Sequence, residues 1–148
     1  MPRLPYKSGN EEATPNRKIL GHTPKILESV LLMEEAISEI LNPEIMELVR
    51  LRVATNNDCK FCKRFINYDL DQEKRTSALE KHSDSILSTR EQLAIELVDR
   101  IMGYHGDLPE EMFNRLKVHF STEEIIALFY QIGIKNTGGW FNIAMEID

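Results

Sequence analysis

From Pro24 onward the apolar residues of the chain recur at three- and four-residue steps. Ile26, Val30, Met33, Ile37 and Ile40 trace one face of a helix from about Pro24 to Leu41. Asn42-Pro43 punctuates it, and Pro43 takes the first helical position of a second segment carrying Ile45, Leu48, Val49, Arg52 and Val53. That segment ends near Asn56-Asn57, and Asn57 or Asp58 is placed to cap a third helix beginning at Cys59. A short polar segment follows, from about Gln72 to Lys81. Ser88-Thr-Arg-Glu91 is a capping box, continued by Leu93, Ile95, Leu97, Val98 and Ile101 to about Gly103. Asp107-Leu-Pro-Glu110 opens a further helix through Met112, Phe113, Leu116 and Phe120. Ser121-Thr-Glu-Glu124 is another capping box, ahead of Ile125, Ile126, Leu128, Phe129 and Ile132. Gly138-Gly139 weakens the case for an unbroken helix over Asn136 to Ile147, because glycine disfavours helix interiors. No run alternates with period two, so the fold class is all-α. Residues 1–23 are polar, contain Pro2, Pro5 and Pro15, and lack periodicity. They read as an extended N-terminal arm, disordered or packed on a neighbouring subunit, ahead of one helical domain over 24–148.

Composition narrows the classes. The 148 residues suit one compact domain, and 42% apolar with 28% charged residues supports a real core rather than disorder. The net charge of −6 argues against nucleic acid, whose phosphates need clustered Lys and Arg. No apolar stretch is long enough to cross a membrane. The N-terminus has no apolar segment of the kind a secretory signal requires, so the expected compartment is the reducing cytoplasm. There, a Cys-x-x-Cys is more often redox-active or metal-binding than a structural staple.

The only two cysteines form such a pair, Cys59-Lys-Phe-Cys62. Three residues apart on a helix, their Cα atoms lie roughly 5 Å from each other, within the range of a disulfide. A helix start also favours a thiolate, through free N–H groups and the dipole. The local terms are small, however. A free thiol with pKa about 8.5 is roughly 3% thiolate at pH 7. Lowering that pKa to about 6.5 needs about 2.7 kcal/mol. A helix terminus supplies about 0.3–1 kcal/mol. Lys60, Lys63 and Arg64 add somewhat, while Asp58 opposes them. A fast thiol enzyme therefore calls for a further base or buried charge. Two ordinary small buried residues are the bland alternative. Zinc would need about four ligands, and no second Cys-x-x-Cys or His-x-x-x-His accompanies the pair. No metal or cofactor is expected.

Glu47 stands twelve residues before Cys59, in Glu47-Leu-Val-Arg-Leu-Arg-Val-Ala-Thr-Asn-Asn-Asp-Cys59-Lys-Phe-Cys62. This arrangement resembles the carboxymuconolactone decarboxylase family, in its AhpD-like alkylhydroperoxidase branch. Leu20-Gly-His-Thr-Pro24 is similar to the family's helix lead-in, and Leu116-Lys-Val-His-Phe-Ser-Thr-Glu-Glu-Ile125 to a later helix. The resemblance covers about residues 19 to 147. It implies a single-domain helical bundle assembled as a homotrimer or homohexamer, with sites near subunit contacts. It also implies catalytic roles for Cys62, Cys59 and Glu47. Cys62 would attack a hydroperoxide and become a sulfenic acid, Cys59 would close the disulfide, and a thiol or disulfide reductant protein would reopen it.

The chain departs from the family at position 66, where Ile66 stands in place of a relay histidine. If the second and third helices fold back on each other, Glu47 lies roughly 14 Å before the turn and faces a later turn of the cysteine helix. It would then reach Cys62 through water, or pair with Arg50 or Arg52. Its reading as a simple ion-pair carboxylate weighs equally. His22, His82, His105 and His119 are the other candidate bases, each reading first as a surface or packing residue. Tyr68 reads as core, and Trp140 and Phe141 as core or interface anchors. Two further functions compete with the peroxidase. One is a lyase like the decarboxylase that names the family, which needs no cysteine pair. The other is a non-catalytic oligomeric redox sensor, whose disulfide would switch an interface.

Overall fold

The computed structural model describes residues 1–80 and 86–147. Among these residues there are eight helices and no strand. They are α1 (Pro15–Leu20), α2 (Pro24–Ser38), α3 (Pro43–Asn56), α4 (Lys60–Arg64), α5 (Gln72–Glu80), α6 (Thr89–Gly103), α7 (Glu110–His119) and α8 (Thr122–Ala144). No described helix is long and apolar enough to cross a membrane.

Helix α3 is the axis of the molecule, with α5, α6 and α8 packed around it. Every residue from Glu47 to Ala54 is buried, so the central turns of α3 have no solvent face. Leu48, Val49 and Leu51 are fully enclosed, each contributing about 1.5–3 kcal/mol of burial. One cluster joins Ile45, Val49 and Val53 to Leu93, Leu97, Leu116 and Leu128. A second joins Leu48 and Leu51 to Leu70, Ala78, Leu87 and Ile95. Total burial forces the polar residues of α3 to find internal partners, since an unpaired buried charge is costly. Arg52 donates to Asp99 Oδ2 (3.2 Å) and to the Ser77 carbonyl (3.3 Å). Burial lowers its pKa, and Asp99 opposes that.

The helix starts follow the sequence closely. Asn42 accepts from Ile45 N–H at 2.9 Å ahead of Pro43, and the capping boxes at Ser88–Glu91 and Ser121–Glu124 are both formed. Five features differ from the sequence reading. The arm contains a short helix, α1, opened by Pro15 and held by the burial of Ile19. It also folds onto its own chain, where Arg3 N–H donates to the Met145 carbonyl and Lys7 N–H to the Lys18 carbonyl. The polar stretch after Gln72 is helix α5, capped by Asp71 and buried only at Ser77 and Ala78. Asp58 ends α3 rather than starting α4: at φ 52° it reverses the chain, and Cys59 N–H returns to the Ala54 carbonyl. Helix α8 runs unbroken through Gly138-Gly139.

Gly139 has a packing reason. A Cβ there would stand 2.9 Å from Asn57 Nδ2. That amide donates to Asn136 Oδ1 at 2.8 Å, while Asn57 Oδ1 accepts from Trp140 Nε1 at 3.2 Å. The missing side chain lets α8 lie against the turn between α3 and α4, beside the cysteines.

Candidate functional site

Cys59 is the N-cap of α4, and its sulfur accepts from Cys62 N–H at 3.2 Å. The two cysteines are joined as a disulfide, with Cα atoms 5.3 Å apart. They are not equivalent. Cys59 is 1% exposed, whereas Cys62 lines a cavity of about 240 Å³ between α1, α2, α3, α4 and α8. Leu20, Ile26, Val30, Phe61, Phe65 and Phe141 give this cavity an apolar wall. A charged edge interrupts it, where Arg17 (2.8 Å) and Lys135 (2.6 Å) both bind Glu34.

The five-residue helix α4 is held at its C-terminal end by two arginines. Arg50 donates to the carbonyls of Cys62 (2.7 Å) and Phe65 (2.6 Å), and Arg75 to that of Lys63 (2.7 Å). These bonds satisfy carbonyls that a helix end leaves free. Arg50 is itself gripped by Glu47 through two 2.7 Å bonds, from Nε to Oε2 and from Nη2 to Oε1. Glu47 also accepts from Asn67 N–H at 3.2 Å, and Arg75 stands 3.9 Å away. Glu47 is 1% exposed, and both its oxygens are committed. Of the pairings open to it, Arg50 is the one formed. Its connection to Cys62 runs through a guanidinium to the cysteine's carbonyl.

Position 66 lies off the site. Helix α4 ends at Arg64 and Phe65 is extended, so residues 62 and 66 do not share a helix face. Ile66 is 58% exposed. The three described histidines do not replace it. His22 is exposed and bonds the Pro5 carbonyl, His105 is exposed, and His119 ends α7; none of the three lines the Cys62 cavity. His82 lies outside the described residues. Tyr68 is exposed rather than core, Trp140 is exposed in the single chain, and Phe141 lines the cavity.

Asn142 is the site residue that the sequence reading missed. It is 3% exposed on α8, and its Nδ2 lies 3.4 Å from Cys62 Sγ. Its Oδ1 is buried with no hydrogen-bond partner among the described residues. An unpaired buried acceptor costs about 1–3 kcal/mol. Arg52, Arg75 and Gln131 each hold one unpartnered buried atom as well, but those three residues do not line the cavity.

Compared with known proteins, the chain matches no family profile. It is 25% identical over 112 residues to the uncharacterized protein YnjA of Escherichia coli K12, covering 72% of this chain and 62% of YnjA. It is 27% identical over 111 residues to the uncharacterized protein YdfG of Bacillus subtilis 168, covering 71% and 76% of the two chains. The chain thus spans a little under two thirds of YnjA. Five solved chains match, and two of them show the shared fold. One is a protein of unknown function from Agrobacterium tumefaciens, provisionally assigned as the antioxidant defence protein AhpD. It has a TM-score of 0.72 at 22% identity, over 87% of this chain and 93% of that one. The other is the debrominase Bmp8 in its apo form, with a TM-score of 0.73 at 18% identity, over 88% and 74%. The chain therefore has the all-helical AhpD-like fold.

Proposed function

We propose that the protein is a dithiol–disulfide redox enzyme that reduces organic hydroperoxides. One observation carries the reading: the two bonded cysteines differ in access, with Cys62 on an apolar cavity and Cys59 enclosed behind it. In the reduced protein the Cys62 thiolate attacks the terminal oxygen of the hydroperoxide. The O–O bond breaks, Cys62 becomes a sulfenic acid, and the departing alkoxide takes a proton from water to leave as an alcohol. Cys59 then attacks Cys62 Sγ, the disulfide forms, and water is released. A thiol or disulfide reductant protein restores both thiols at the cost of its own oxidation. The apolar wall supports an organic substrate over hydrogen peroxide.

Glu47 acts in this scheme by fixing Arg50, which holds α4 by two carbonyls. It is a positioning residue, and its double ion pair supports that role. The same reading has the protein work in a reducing cytoplasm as a homotrimer or homohexamer. Exposed apolar residues on α2, among them Ile26, Leu32 and Met33, support self-association.

Stopped-flow oxidation of the reduced protein by cumene hydroperoxide tests the function. A rate at least a hundredfold above that of a free thiol, abolished by Cys62→Ser, is expected. Equal, slow rates for both proteins would remove the enzyme reading.

A further inference from the structure

The proposed reaction lacks one group. A thiolate beside an apolar cavity needs a donor to hold its charge, and a hydroperoxide entering that cavity needs an acceptor to orient it. Glu47 and Arg50 are engaged with each other and with the α4 backbone, and Ile66 carries no polar group. We propose that Asn142 is a catalytic residue: its Nδ2–H group donates to the Cys62 sulfur as thiolate, and its Oδ1 accepts the O–H of the hydroperoxide at the attacked oxygen.

Three observations converge on this. The amide nitrogen lies 3.4 Å from Cys62 Sγ. The amide oxygen is buried and unpartnered among the described residues, on a side chain that lines the cavity. Gly139, a turn earlier on α8, allows the close helix approach that brings Asn142 there. A carboxamide suits both duties at once, since it offers a donor and an acceptor at fixed separation with no net charge. Donation to an ionised acceptor is the stronger kind of hydrogen bond, so the contact gains strength as the disulfide opens and Cys62 ionises. Oδ1 fixes the hydroperoxide O–H while Sγ attacks that oxygen. The hydrogen remains on the oxygen that becomes the sulfenic acid, and the alkoxide is protonated by water as before.

The first half of the proposal concerns the thiol alone, and only the second half rests on the peroxidase reading. Cys59→Ser leaves Cys62 as the single thiol and serves as the parent. Alkylation by iodoacetamide across pH reports the ionisation of Cys62. Single-turnover oxidation by cumene hydroperoxide, compared at equal thiolate fraction, reports orientation of the substrate. In the parent carrying Asn142→Leu, the thiol is expected to ionise about one to two pH units higher. Oxidation at equal thiolate fraction is expected to fall roughly tenfold. Asn142→Ala, which only removes atoms, is expected to shift both in the same direction and carries the test if the leucine variant does not fold. Unchanged ionisation and unchanged oxidation in a folded variant of a fast-reacting parent would overturn the proposal and leave the peroxidase reading standing. A parent that reacts at the rate of a free thiol would overturn that reading, and with it the second half of the proposal.

Discussion

From the sequence, Glu47 reads equally as a catalytic carboxylate and as an ion-pair partner. A carboxylate twelve residues before a cysteine pair invites reading as a base, and its burial in α3 strengthens the impression. Its bonding partners point to a different use: both oxygens hold Arg50, and Arg50 holds the chain at Cys62 and Phe65. Breaking a buried pair from one side costs about 3–5 kcal/mol, because the remaining charge is left uncompensated. Glu47→Gln is therefore expected to lower unfolding free energy by about that amount. Denaturant titration measures it. If Glu47 orients rather than transfers a proton, the rate of thiol oxidation in the variant should retain the pH dependence of the wild type. A deleted limb in the pH profile would instead make Glu47 a base. The Glu47–Arg50 spacing of three residues was readable as a helix-face pair. Asn142 was not readable at all: it lies 80 residues from Cys62 and carries no pattern, and only the packing of α8 on the α3–α4 turn joins them.

At the scale of the element, α8 and α5 show what the chain concealed. Adjacent glycines weaken a helix by propensity, yet α8 continues because its packing outweighs them. The two glycines should respond in opposite ways to alanine. At Gly138 a Cβ meets nothing within 4 Å, so Gly138→Ala is expected to stabilise by about 0.5–1 kcal/mol. At Gly139 the same gain is opposed by displacement of Asn57 from Asn136 and Trp140, two bonds at about 0.5–1.5 kcal/mol each. Gly139→Ala is expected to be neutral to destabilising by up to about 2 kcal/mol. Thermal unfolding of the pair decides, and stabilisation by both would show that the close approach is not tight.

Helix α5 has only two buried residues of its own, which is why periodicity passed over it. Beside the small apolar contact of Ala78, its anchor is electrostatic: Lys74 donates to Glu44 and Glu91, each at 2.8 Å. These bonds raise the Lys74 pKa, Glu44 first. Burial pushes the Glu91 carboxyl up, but the bonds from Lys74 and Ser88 N–H outweigh it and hold the group below its ordinary value. A depressed carboxylate contributes stability above the unfolded value of 4.5 and loses it as the pH falls through the lowered folded value. Glu91→Gln is expected to cost about 1–2 kcal/mol at neutral pH and to flatten the acid limb of the stability curve. An acid limb identical to that of the wild type would contradict this. The capping boxes, by contrast, were legible residue by residue, because a side chain and a backbone three positions apart satisfy each other without help from the fold.

For the whole molecule, the question is what covers α2. Of the apolar face that marked it as a helix, Ile37 is buried, while Ile26, Met33 and Ile40 are exposed, with Leu31 and Leu32 beside them. The periodicity correctly identified the helix but not its partner, since an apolar stripe is the same whether it faces its own core or a second copy. If self-association covers this face, sedimentation should find a trimer or hexamer, and Met33→Glu should yield single chains with helical content retained. A wild-type monomer would rule the assembly out.

The proposed chemistry rests on two sulfurs, one accessible and one enclosed. It is tested most directly by mass spectrometry of the fully reduced protein, quenched at intervals after addition of one equivalent of cumene hydroperoxide. A Cys59–Cys62 disulfide is expected to accumulate, and Cys59→Ser is expected to arrest the reaction as a sulfenic acid on Cys62. Recovery of both thiols unlinked and unoxidised, with the hydroperoxide intact, would contradict this chemistry.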